Sequence, residues 1–341
     1  MRVLIFGAGA IGVYVGGRLL RAGHPVAFCA RPATAAALRA RGLRLRQGDE
    51  QVALTGFPVF DTLADALSAW APDVLVFALK AFDTADALAT WRPVAAALPP
   101  VLCLQNGVDG EAALAEIAGP ERVIAGTVTT AVSRGEPGEI TVERLRGLGL
   151  ALGHPLSQPL GQALDAAGLR ARGYASAAAL KWSKLLTNLV GNATAAILDL
   201  PVSALFADAR LFDVERRMLR EALAVMRALR VPVIDLPGTP VRALAWGAQL
   251  PAGLGRLALQ RGVGAGRGGK RPSMHLDLHS GRGQTEVRWL NGAVVRRGAT
   301  LGVPTPVNRV LTETLEALSG GALRPEQFRD RPQALLDLIN T

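Results

Sequence analysis

The stretch "RVLIFGAGAIGVYVGGRLLRAG" near the amino end constrains the fold of this chain more than any other. An apolar run of strand length passes into Gly7, Gly9 and Gly12, spaced GxGxxG, and then into a helical pattern. The glycine spacing alone is a weak signal. Flanked by a strand and a helix it becomes a dinucleotide-binding fingerprint. Gly7 permits the tight turn, and Gly9 lets the backbone approach a pyrophosphate. Gly12 lets the helix pack on the strand with its amino end facing the phosphates. Ala8, Ala10 and Ile11 complete the segment that would line the cofactor.

The next 150 or so residues keep the alternation that such a start requires. "PVAFCA", "DVLVFAL", "VLCLQ" and "VIAGTVTTAV" are apolar runs of buried-strand length, separated by helical patterns such as "TAAALRARG" and "DTADALATWRPVAAAL". Alternation of this kind predicts a parallel sheet with helices on both faces. "GEITVE" and "LGLALG" are expected to form a hairpin that closes the sheet. From Ser176 onward only helical patterns follow, expected over 176–197, 201–229, 238–258, 272–300 and 306–318, with a mobile basic loop at 262–272. The expected architecture is therefore α/β: a Rossmann-type doubly wound sheet domain over 1–175, followed by an all-helical domain over 176–341.

Composition limits the function classes. With 341 residues, half of them hydrophobic, the chain can bury two domain cores. It has no uncharged run of membrane-spanning length, so no membrane partner is expected. The glycines at the start and the lack of a cleavage pattern argue against a signal peptide. Cys29 and Cys103 lie in apolar strand-like runs and read as buried, reduced thiols of a cytoplasmic protein. The net charge is +10, but the arginines are scattered apart from "GRGGKRP" at 266–272, and aromatic residues are only 5%. A nucleic-acid surface needs clustered cations and stacking platforms, so an anionic small ligand explains the charge more simply.

Cofactor identity is read at the second strand. An NAD site places an acid about 20 residues past the glycines, to hold the ribose hydroxyls. Here the strand ends "FCARP", and Arg31 suits a 2′-phosphate, which favours NADP(H). Ligands of open α/β sheets bind at the carboxyl ends of the strands. There "FALKAF" puts Lys80 and "LCLQNG" puts Gln105 and Asn106. In "LKWSKLLTNLVGNATAAI", Lys184, Asn188 and Asn192 fall on one helical stripe beside Lys181, Thr187 and Gly191. Trp182, Leu185, Leu186 and Leu189 face the other way. Short polar groups on that stripe would let a ligand approach, whereas a merely solvated face commonly uses longer charged residues. Further on, Ser273 and Asp277 share a helical face, and Glu286 sits in partly apolar company. His275 and His279 have zinc-compatible spacing, but the sequence offers no third ligand and no metal is expected.

Taken in order, "GAGAIG", "ALKAF", "QNG", "KLLTNLVGNATA", "PSMHLD", "TEV..LNG" and "GVPTPVN" resemble the ketopantoate reductase (2-dehydropantoate 2-reductase) family over nearly the whole chain. That resemblance implies NADPH-dependent reduction of a 2-oxo acid, in the family's case ketopantoate to pantoate in pantothenate synthesis. It implies Lys184 as the general acid, with Glu286 accepting from the substrate hydroxyl and orienting the lysine. Lys181 looks like a neighbour that adds at most distant charge. The resemblance also implies substrate contacts from Asn106, Asn188, Asn192 and Ser273, and places Lys80 between cofactor and substrate. Two positions depart from the family pattern: Val202 where an asparagine is usual, and Arg288 where an acid is usual. A paralogue acting on another branched 2-oxo acid therefore also fits, as does another enzyme on the same scaffold, such as a 3-hydroxyacid or glycerol-phosphate dehydrogenase. An NADP(H)-binding sensor without turnover would need the fingerprint and Arg31 but not Lys184 and Glu286. The expected partner is a small 2-oxo acid, and a homodimer is left open.

Overall fold

A computed structural model describes residues 1–259 and 271–340. The expected basic loop at 262–272 lies outside the described residues except for Arg271 and Pro272. The chain divides into two compact units. One comprises Met1–Lys181 with Leu236–Thr239, and the other Trp182–Asp235 with Pro240–Thr341.

The first unit holds twelve strands among its described residues: β1 (Val3–Phe6), β2 (Val26–Cys29), β3 (Leu43–Gln47), β4 (Glu50–Leu54), β5 (Val59–Phe60), β6 (Val74–Phe77), β7 (Val101–Cys103), β8 (Val123–Val128), β9 (Ala131–Arg134), β10 (Glu139–Arg144), β11 (Leu148–Ala151) and β12 (Ala171–Tyr174). Eight of them form one sheet in the order β12-β11-β8-β7-β6-β1-β2-β5. All its pairs are parallel except β8 with β11. Successive strand residues point to opposite faces, so Ile5 and Phe28 join one core while Leu4 and Phe77 join another. The first core is covered by helices Ala10–Arg21 and Ser157–Leu164, the second by Leu63–Trp70, Thr84–Trp91 and Gly110–Ala118. This is the doubly wound sheet expected from the alternation.

The expected hairpin of "GEITVE" with "LGLALG" does not form. β10 instead pairs with β3 and β9 in a separate four-stranded sheet, order β4-β3-β10-β9, while β11 crosses to the main sheet. The second sheet rests on a pattern present in "LRLRQ": Leu43 and Leu45 are buried and Arg44 and Arg46 exposed. Gly147, at φ 149°, separates the two strands, and its amide plane is held by the Thr130 hydroxyl at 3.0 Å.

Cys29 and Cys103 are free and buried. Burial pushes the Cys29 thiol up to about 12 and raises that of Cys103 further, so both are poor nucleophiles.

The second unit is helical throughout its described residues, but in shorter pieces than the periodicity suggests. The expected 176–197 helix becomes Ala177–Leu189 and Ala193–Leu198, broken where Gly191 takes φ +56°. The expected 201–229 helix becomes Val202–Ala207 and Ala209–Ala228, because Asp208 accepts from the amides of Arg210 and Leu211 and starts a new helix. The 272–300 span contains Ser273–Leu278, a turn with Gly281 and Gly283 at positive φ, a 3₁₀ segment Glu286–Trp289, and Asn291–Leu301. Pro306–Ser319 follows, and a carboxyl-terminal helix Pro332–Asn340 was not anticipated. Among the described residues, no helix is long and apolar enough to cross a membrane.

Candidate functional site

In the first unit the glycine turn has the conformation its chemistry requires. Gly7 follows β1 at φ +101°, where a side chain would collide with Leu79 and the Ala78 carbonyl. A Cβ on Gly12 would lie 1.9 Å from the Gly7 carbonyl oxygen, so only glycine lets this helix sit so close to the turn. Gly9 caps the helix Ala10–Arg21 in an extended conformation and has nothing within 4 Å of where a Cβ would be. No side chain caps that helix and no acid occupies its first turn. An open cradle in front of uncapped amides is the chemistry that suits a pyrophosphate. Ala8 is buried, while Ala10 and Ile11 are partly accessible at the helix start.

Arg31 stands two residues past β2, at the cap of helix Pro32–Arg41. Its side chain is 70% exposed and 3.7 Å from Asp83. Such a surface pair is weak and leaves the guanidinium available to a ligand. Lys80 and Asn106 are half-buried at the carboxyl ends of β6 and β7. Between them Gln105, buried, donates from Nε2 to the carbonyls of Leu79 and Lys80 at 3.1 Å and to Thr84 Oγ1 at 2.8 Å. One glutamine thus ties together the two strand ends that carry the candidate residues.

Lys181 departs from expectation. It adds no distant surface charge: the side chain is buried, and Nζ donates to the carbonyls of Gln105 (2.5 Å) and Gly126 (3.3 Å) and pairs with Glu111 at 2.8 Å. Burial opposes the ammonium, yet the Glu111 carboxylate more than offsets this and raises its pKa. No local pattern marks Glu111, because the partner lies 70 positions away.

On the same helix, Trp182, Leu185, Leu186 and Leu189 are buried while Lys184, Thr187 and Asn188 are half-buried. The apolar and polar faces are those read from the 3.6-residue period. Thr187 Oγ1 donates to the Lys184 carbonyl at 2.7 Å. Because the helix breaks at Gly191, Asn192 does not continue the stripe by helical geometry. Its side chain returns instead: Nδ2 donates to the Asn188 carbonyl at 3.0 Å and to Ser273 Oγ at 3.4 Å, and Oδ1 accepts from the Met274 amide at 3.1 Å. Asn188, Asn192 and Ser273 are thus brought together, with Ser273 exposed at the start of its helix. Glu286 is buried at 1% exposure in the 3₁₀ segment that follows the Thr285 cap.

A buried glutamate that the periodicity does not reveal holds the break. Glu215 accepts from the Gly191 amide and from Thr194 Oγ1, each at 2.6 Å. Glu215→Ala would strand two buried donors, and the expected loss in unfolding free energy is roughly 2–5 kcal/mol by urea titration. A loss under about 1 kcal/mol would show that the turn holds without it.

The other motif residues are structural. Asn291 donates to Asn308 Oδ1 at 3.1 Å, and Glu221 accepts from the amides of Val307 and Asn308 at 2.9 Å and from Asn308 Nδ2 at 2.7 Å. "LNG" and "GVPTPVN" therefore join three helices of the second unit. Asp199 supplies a third group beside the histidine pair: ligand atoms of Asp199, His275 and His279 lie within 4.8 Å of one another. The same carboxylate also pairs with Arg271 and Arg329. Burial alone would raise the Asp199 carboxyl, but its bond to His275 and the two guanidinium charges hold it below the usual range. Two cations already neutralise that carboxylate, so the cluster acts as a brace on the Ser273 helix and makes a poor cation site.

Comparison with known proteins gives the family and the fold. The sequence profile of the family described as ketopantoate reductase PanE/ApbA matches residues 3–152, and that of its C-terminal part matches 177–319. A 2-dehydropantoate 2-reductase of Mesorhizobium japonicum is 31% identical over 335 residues, covering 90% of this chain and 94% of that protein. The crystal structure of a PanE/ApbA family ketopantoate reductase from Ralstonia eutropha JMP134 superposes with a TM-score of 0.78 at 30% identity, covering 94% of this chain and 99% of that one. D-mandelate dehydrogenase, solved in a ternary complex with NADH and anilino(oxo)acetate, shares the fold at a TM-score of 0.76 and 21% identity, over 94% of this chain and 99% of its own. With two family profiles spanning most of its length and a relative at this identity, the chain belongs to the ketopantoate reductase family of oxidoreductases.

Proposed function

We propose that this protein reduces 2-dehydropantoate to pantoate with NADPH, in the synthesis of pantothenate. The observation that carries this reading is the half-buried polar stripe of Lys184, Thr187 and Asn188 on a helix whose other face is buried. The amides at the start of helix Ala10–Arg21, with Gly7, Ala8, Gly9, Ala10, Ile11 and Gly12, hold the pyrophosphate. Arg31 pairs with the 2′-phosphate, and Lys80 and Asn106 contact the ribose and nicotinamide side and the substrate. When bound, the dinucleotide supplies the hydride that adds to the keto carbon. Lys184, as ammonium, hydrogen-bonds the ketone oxygen and donates the proton that the developing alkoxide needs. Asn188, Asn192 and Ser273 hold the carboxylate and hydroxyl ends of the 2-oxo acid without adding charge. Glu286 accepts from the substrate hydroxyl and orients Lys184.

Steady-state rates with ketopantoate, 2-oxoisovalerate and oxaloacetate, each with NADPH and with NADH, test this reading. A kcat/KM highest for ketopantoate with NADPH supports it. A specific observation favours the alternative of another branched 2-oxo acid: Val202 is 2% exposed and packs against Gly191, so it offers no hydrogen bond where the family usually has an amide. A preference for 2-oxoisovalerate would select that alternative. The cofactor assignment has its own check. Arg31→Ala removes a charge-assisted contact worth roughly 1.5–3 kcal/mol, so KM for NADPH should rise about ten- to hundredfold while that for NADH stays nearly unchanged. An unaltered NADPH preference contradicts the role of Arg31. For the homodimer left open by the sequence, Trp246 and Leu254, each more than 60% exposed, offer apolar surface. A single monomer species in sedimentation velocity removes the dimer.

A further inference from the structure

Lys181 is only 4% exposed; its ammonium donates to Gln105 O and Gly126 O and is ion-paired with Glu111 at 2.8 Å. A buried ion pair is weak evidence for stability, since well-packed apolar residues often serve as well. Its position in this unit gives it a different use. β7 ends at Cys103, and the last amide bonded toward β6 is that of Leu104, which donates to Phe77 O. Gln105 is thus the first residue beyond the ladder, and Lys181 holds its carbonyl at 2.5 Å. The peptide unit is planar, so fixing the Gln105 carbonyl also fixes the direction of the Asn106 N–H at its other end. The Gln105 side chain in turn donates from Nε2 to the Leu79 and Lys80 carbonyls and to Thr84 Oγ1.

We propose that Lys181, paired with Glu111, is a positioning residue that sets Asn106 and Lys80 for the bound dinucleotide through Gln105. The inference rests on the proposed cofactor role of those two residues. Lys181 touches neither ligand. Its contribution is the orientation of one peptide plane and of the side chain beneath it, and Glu111 keeps the ammonium charged and in place.

Two variants test it. Lys181→Met with Glu111→Leu removes both charges together, so no charge is stranded and the apolar pair can pack in their place. Gln105→Leu leaves the ion pair intact and cuts the link to Lys80. NADPH affinity is read by the enhancement of its fluorescence, alongside the melting temperature and the steady-state constants. Both variants are expected to bind NADPH about tenfold more weakly or worse, with the loss in KM for NADPH and kcat at saturation within about threefold. The triple variant should bind no more weakly than the Lys181→Met, Glu111→Leu double variant, because the ion pair lies upstream of both the Asn106 amide and the Gln105 side chain. A double variant that keeps wild-type NADPH affinity overturns the inference and leaves the pair a structural feature. If the double variant does not fold, Gln105→Leu decides alone, and wild-type affinity there overturns it equally. A wild-type protein that does not bind NADPH removes the cofactor reading itself, an outcome distinct from variants that match a binding wild type.

Discussion

Lys184→Ala is expected to lower turnover of the 2-oxo acid by about 10²–10⁴-fold, the usual contribution of a positioned general acid. NADPH binding should be nearly unchanged, because the glycine turn and Arg31 belong to the other compact unit. Lys184 is half-buried on a helix whose apolar face is packed by Trp182, Leu185, Leu186 and Leu189, so the fold should persist without its ammonium. Lys181→Ala provides the contrast. It would leave Glu111 without its cation, so it should lower stability first and activity as a consequence. Single-turnover hydride transfer, melting temperature and NADPH affinity for both variants separate the two roles. A Lys184→Ala enzyme that turns over normally would return that stripe to an ordinary solvated face.

The second large effect concerns two glycines of one motif that should fail in different ways. An alanine Cβ at position 12 would sit 1.9 Å from the Gly7 carbonyl oxygen, a backbone atom that cannot swing aside. Gly12→Ala should therefore separate helix from turn, cost about 1–3 kcal/mol or more of stability, and abolish NADPH binding with it. At position 9 nothing lies within 4 Å, and the backbone there, φ −80° and ψ −171°, is one any residue adopts. Gly9→Ala should melt close to the wild type, yet weaken NADPH by about tenfold or more, because the methyl group fills the space proposed for the pyrophosphate. Equal NADPH affinity in Gly9→Ala and wild type would show that the dinucleotide does not approach that backbone.

What the sequence made legible follows the range of its signals. The strand, glycine turn and helix at the amino end are local, and the structure reproduces them together with the tight turn at Gly7 and the close packing at Gly12. The buried and half-buried faces of Ala177–Leu189 follow from a period of 3.6, so Lys184 and Asn188 were placed on the right face by counting. The breaks were harder to read. Gly191 resembles a tolerated helix glycine until Glu215, 24 positions away, is seen to hold its amide in a turn. That break changes how Asn192 reaches its neighbours, from helical stacking to side-chain bonds with Asn188, Ser273 and Met274. The second sheet was missed although "LRLRQ" alternates clearly, because β3 pairs with β10 nearly 100 positions on and that pairing leaves no local mark. Lys181 and Glu111, His275 and Asp199, and Asn308 and Glu221 are likewise long-range partners, which no single sequence can match to one another.

The central claim is that this chain moves a hydride from NADPH to the keto carbon of 2-dehydropantoate, with protonation by Lys184. Its most direct test mixes the purified protein with NADPH and ketopantoate, follows the loss of reduced nicotinamide absorbance, and quantifies pantoate by mass spectrometry. The expected result is one pantoate formed per NADPH consumed, with no consumption when the keto acid is omitted. Binding of NADPH with no oxidation in the presence of ketopantoate or 2-oxoisovalerate would contradict the account and leave a dinucleotide-binding protein without this turnover.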